Sequence, residues 1–173
     1  MDVGRDTDKR SLIASITYVV VAVALTSGAA VSLIRAADGA NSLLDDLKET
    51  GRACSGASVG SVGDGWVLGV AALVVVLVGA TGWAMFRLRP WGRATAKGAM
   101  LPLGVLWLFG YGLGESSFGC DSAGLYGALG DDLNRAGWLL IFCVVVCGLA
   151  SAWLSSHTDS RRRRSIVWDG PHF

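Results

Sequence analysis

Four apolar runs set the pattern of the chain, and none of them contains Asp, Glu, Lys, Arg or His. They cover residues 12–34, 66–86, 98–114 and 136–154, which is 23, 21, 17 and 19 residues. At 1.5 Å per residue they would span about 34, 31, 25 and 28 Å, against a hydrocarbon core of about 30 Å. Lipid offers no partner to a backbone N–H or C=O, so each run is predicted to be a transmembrane α-helix. The third is the least regular. It is short, carries Pro102, and ends in Gly110, Gly112 and Gly114. Pro102 falls near the expected first turn, where a missing N–H costs little.

The expected fold is all-α: an integral membrane four-helix bundle of two antiparallel transmembrane hairpins, with residues 1–173 as one domain. Residues 35–65 and 115–135 form the outer loops, 87–97 the inner loop, and 155–173 a tail. Buried helices of a water-soluble protein are the competing reading. For the first run a cleaved signal peptide also competes, but 23 residues exceed the ~7–15 of an ordinary signal-peptide core.

Charge orients the spans. Lys and Arg divide 11 to 4 between the N-terminus, the 87–97 loop and the tail on one side, and the other two loops on the other. The positive-inside rule places the first group in the cytoplasm, so both termini are inside. Trp66 and Trp138 then mark outer ends, and Trp83 and Trp153 inner ends, at the depth indoles prefer. Trp107 falls mid-span, where packing accounts for it. Arg outnumbers Lys twelve to three and Gln is absent. That usage fits a GC-rich bacterial genome, hence a bacterial plasma membrane. Overall, 52% of residues are hydrophobic and 17% charged. Soluble domains are nearer ~25% charged.

Cys54 and Cys120 are the two cysteines outside the apolar runs. The topology puts both on the oxidising side, where disulfides persist, so a Cys54–Cys120 bridge is expected. A redox-active pair and two free thiols are the alternatives. Cys143 and Cys147 lie four apart, on one face of the fourth helix. They read as small apolar packing residues.

Without a hydrophobic drive between helices in lipid, close approach matters, and small residues at four-residue spacing mark candidate contact faces. These are Ala24, Gly28 and Ser32, then Ala80 and Ala84, then Gly148 and Ala152. Between the first two spans, residues 42–50 are expected to form a separate short helix capped by Ser42. Arg161, Arg162, Arg163 and Arg164 are expected to contact anionic lipid headgroups, each contributing about 1 kcal/mol. No nucleic-acid role is expected of four arginines at a membrane surface.

The absence of ionisable residues from the spans argues against proton- or ion-coupled transport. No phosphate-binding loop, catalytic triad or metal motif is present. No catalytic residue, metal ligand or cofactor is therefore expected. The favoured reading is a non-enzymatic accessory, scaffold or assembly partner, associating with another membrane protein or with itself. One alternative is a transporter or channel for a neutral solute, lined by Ser15, Thr17, Tyr18, Thr26, Ser27, Thr81 and Tyr111. A weaker one is thiol–disulfide chemistry at Cys54 and Cys120.

Overall fold

The computed structural model describes the backbone of residues 3–49, 64–118 and 123–168, and the side chains of 9–39, 41–42, 65–111 and 130–157. Four α-helices follow one another: α1 (Val3–Glu49), α2 (Asp64–Phe86), α3 (Gly92–Phe118) and α4 (Ala123–Trp168). Each packs on its neighbours in the chain and α4 closes the ring onto α1, while the diagonal pairs scarcely touch. Cross-helix contacts make neighbours antiparallel. Ser15, early in α1, meets Gly82, late in α2. Trp66 opens α2 against Phe109 of α3. Arg93 opens α3 against Leu154 and Ser155 of α4.

The helices outrun the apolar runs. Hydropathy marks the part of a helix that suits lipid, but helical hydrogen bonding propagates until a breaker stops it. Nothing between residues 35 and 49 is a proline, so α1 continues through the segment expected to start an outer loop. The short helix expected over 42–50 is the last part of α1. Ser42 is not a cap there: its hydroxyl donates back to the Gly39 carbonyl at 3.0 Å. α3 likewise takes the first residues of the expected second loop, and α4 its part from Ala123 onward and most of the tail. Pro102 lies inside α3, which begins at Gly92, and not in its first turn. The bond it forfeits is to the Gly98 carbonyl. Among the described residues three helices are long and apolar enough to cross a membrane: Lys9–Gly39, Gly65–Phe86 and Gly130–His157. α3 is not one of them.

Buried positions repeat every seven residues. In α2 they are Val67, Ala71, Val74, Val78, Thr81 and Met85; in α4, Ala136, Leu140, Cys143, Cys147, Ala150 and Leu154. An alternating three-and-four spacing keeps one seam toward the bundle axis, the pattern of left-handed packing at small crossing angles. The outward faces of the apolar runs carry large apolar side chains, and the core includes some hydroxyls. Val76 is 67% exposed and Leu101 76%, whereas the buried set includes Ser15, Thr26 and Thr81. A water-soluble bundle would instead turn polar groups out along the whole of each helix.

The α2–α3 turn is tight. Leu88 adopts φ 50°. Its N–H donates to the Met85 carbonyl (3.2 Å), and the Arg89 N–H to the Ala84 carbonyl (2.9 Å). That pair of bonds is the Schellman motif, and Pro90 follows it. A left-handed residue other than glycine costs about 1–2 kcal/mol. A branched Cβ tolerates that backbone worse. Leu88→Val is therefore expected to lower stability by about 1 kcal/mol in denaturant titration, and Leu88→Asn to be tolerated. The turn also brings backbones together: a Cβ on Gly92 would lie 2.5 Å from Ala84 Cβ and 3.0 Å from Leu154 Cδ1.

Candidate functional site

The seams of α1 and α4 meet along small residues. Ala22, Ala29 and Ala30 are buried, and so are the hydroxyl and thiol side chains interleaved with them. Two features of that line follow from spacing alone. Tyr18, Ala22 and Thr26 are four apart on α1, and Cys143 and Cys147 are four apart on α4, so each set occupies one face. Antiparallel packing then sets Tyr18 opposite Cys147 and Thr26 opposite Cys143. The Tyr18 hydroxyl lies 3.6 Å from Cys147 Sγ, and Thr26 Oγ1 3.5 Å from Cys143 Sγ. The Thr26 hydroxyl donates to the Ala22 carbonyl (2.8 Å), and Cys143 Sγ approaches the same oxygen at 3.9 Å. The two thiols are one helical turn apart on that face.

A second set of hydroxyls lies by the α2–α3 turn. The Thr81 hydroxyl is 3.0 Å from Thr95 Oγ1; Thr81 also reaches the Leu77 carbonyl, and the Thr95 hydroxyl donates to the Gly92 carbonyl. Ser15 donates to the Gly82 carbonyl at 2.6 Å. That approach requires glycine, since a Cβ on Gly82 would collide with Val19 Cγ2. These pairings are what a low-dielectric core demands, because an unpaired buried hydroxyl costs about 1–3 kcal/mol. Toward the opposite end the interior is mainly aliphatic, built from Leu33, Val67, Leu106 and Leu140, with Ser32 buried beside them. Most of the buried hydroxyls among the described residues thus lie in one half of the bundle.

That half ends in positive charge. Lys9, Arg10, Arg87, Arg89 and Lys97 are exposed around it. The Arg87 guanidinium sits over the Trp83 ring at 5.2 Å. Arg93 is half-buried and donates through Nη2 to the Leu154 and Ser155 carbonyls, at 3.5 and 3.2 Å.

The residues singled out from sequence are distributed as follows. Cys54 and Cys120 lie outside the described residues; the described cysteines, Cys143 and Cys147, are free thiols. Arg161 to Arg164 belong to the final turns of α4, and their side chains also lie outside the described residues. Of the small residues, Ser32 and Ala84 are buried, Gly28 has room for a Cβ only 3.1 Å from Leu139 Cδ1, and Gly148 faces Met100 Cε. Ala80 is half-buried, and Ala24 and Ala152 face outward. Of the seven hydroxyls proposed to line a path, Ser15, Tyr18, Thr26 and Thr81 point inward, and Thr17, Ser27 and Tyr111 outward. Trp107 is not packed inside: it is half-exposed and stacks on Tyr111 at 5.9 Å. Sequence reading named the inward hydroxyls and both thiols but did not join them. The signal was the shared three-and-four phase of residues 18, 22 and 26 with 143 and 147. No protein-family model matches this chain, and comparison with curated proteins and with solved structures returned no match.

Proposed function

We propose that the chain is a small four-span integral membrane protein of a bacterial plasma membrane, with both termini cytoplasmic, and that it acts as a non-enzymatic scaffold or assembly partner. The observation that carries the scaffold reading is helix length. α1 and α4 have 47 and 46 residues. At 1.5 Å per residue that is about 70 Å each, more than twice a hydrocarbon core of about 30 Å. Helices of this length present faces to partners on both sides of the bilayer while the bundle holds them at a set separation.

The membrane reading is supported by the apolar outward faces and by the aromatic residues. Trp66 and Trp83 are 17 residues apart on α2, and Trp138 and Trp153 are 15 apart on α4. These intervals are about 26 and 22 Å along a helix, suited to two headgroup-level belts. The clustered cations at the α2–α3 turn, with Arg161 to Arg164, would rest on anionic headgroups of the inner leaflet.

Two experiments test this. Single cysteines placed by Lys97→Cys and Asp131→Cys, in a background lacking other cysteines, are expected to label from opposite faces of intact membranes. Labelling from the same face would overturn the topology. Crosslinking in native membranes is expected to trap the chain with a second polypeptide. Truncation after His157 should leave insertion intact and remove that product. A chain that stays monomeric and uncrosslinked would defeat the scaffold reading.

A further inference from the structure

We propose that Cys143 and Cys147 form a two-coordinate site for a soft monovalent metal ion, copper(I) in chemical class, clamped in the core between α4 and α1. Two thiols four residues apart on a helix have Cβ atoms about 5–6 Å apart. A linear sulfur–metal–sulfur unit needs about 4.6 Å between sulfurs, taking a metal–sulfur bond of about 2.3 Å. One helix turn therefore spans the unit without backbone movement. Thiolate sulfur selects copper(I) over hard cations. Zinc would require further ligands, and among the described residues no group of three His, Cys, Asp or Glu side chains is assembled.

The surroundings suit a metal-bound thiolate pair. The Tyr18 hydroxyl is 3.6 Å from one sulfur and the Thr26 hydroxyl 3.5 Å from the other. Tyr18 can donate to Cys147, and Thr26 can turn its proton from the Ala22 carbonyl to Cys143. Binding breaks two S–H bonds and forms two metal–sulfur bonds. Two protons leave, no electrons are exchanged, and the site carries one net negative charge. Toward the mainly aliphatic end Leu33 and Leu106 close the core.

The test uses the full chain carrying Cys54→Ser and Cys120→Ser, purified in detergent without oxygen, with copper(I) and silver(I) as probes and zinc(II) as the contrast. One copper or silver ion per chain should survive desalting, and zinc should not. X-ray absorption should count two sulfurs on the metal. Cys143→Ser and Cys147→Ser should each abolish retention, and Tyr18→Phe should weaken it about tenfold, as loss of an outer-shell donor does. No retained ion, retention unchanged in Cys143→Ser, or a sulfur count other than two would each overturn the proposal. The sulfur count is read on the unaltered core, so misfolding of a cysteine variant leaves that measurement decisive.

Discussion

Val76→Arg is expected to shift α2 out of the membrane-inserted state by about 3 kcal/mol, roughly a hundredfold in the insertion equilibrium. Val76 stands halfway along α2 and is 67% exposed. In a water-soluble bundle this would be a benign surface substitution, changing stability by no more than about 0.5 kcal/mol. In lipid the guanidinium would lie at the bilayer centre, about three turns from either helix end, where a charge is expensive. Scoring membrane-integrated against released protein, for the wild-type chain and the variant, reads the difference. An unaltered, well-folded variant would mean that water surrounds the exposed faces.

The second large effect concerns two glycines of α2 that composition cannot tell apart. Gly82→Ala is expected to destabilise the bundle by about 1–3 kcal/mol, the usual cost of overpacking. Its new methyl would strike Val19, a β-branched side chain with little rotamer freedom to yield. The helices would have to separate, loosening the Ser15 hydroxyl from the Gly82 carbonyl. Gly79→Ala, three residues earlier, has nothing within 4 Å of its Cβ. It is expected to be stabilising by about 0.5–1 kcal/mol through backbone entropy. Unfolding both variants in mixed micelles with increasing SDS should move them in opposite directions. Equal shifts would contradict the close α1–α2 approach.

Much of the architecture is legible in the one-dimensional pattern. Uncharged runs bounded by charge locate the four helices, since backbone hydrogen bonds must close locally wherever side chains are apolar. Helix ends were less legible. α1 runs on through Arg35 and Asp38, because polar residues do not stop a helix and only a breaker or a cap does. For the same reason Ser42, a residue type suited to capping, lies inside α1 with its hydroxyl bonded one turn back. Rotation was also hard to read. In a chain this rich in Ala and Gly, several faces of α1 offer small residues. Ala24 and Gly28 look as suitable as Ala22 and Thr26, yet Ala24 is outward and Ala22 fully covered.

By itself, then, the sequence determined where the four apolar segments lie, their lengths and the segregation of most arginines to one set of segments. These depend on the solvent preference of each residue, which is a local property. Only the tertiary structure decided which face of each helix turns inward, that Cys143 and Cys147 look at Tyr18 and Thr26, and that Gly82 and not Gly79 lies at a helix crossing. Those outcomes depend on steric fit between segments far apart in the chain. No hydropathy difference separates the faces of a helix that is apolar all round.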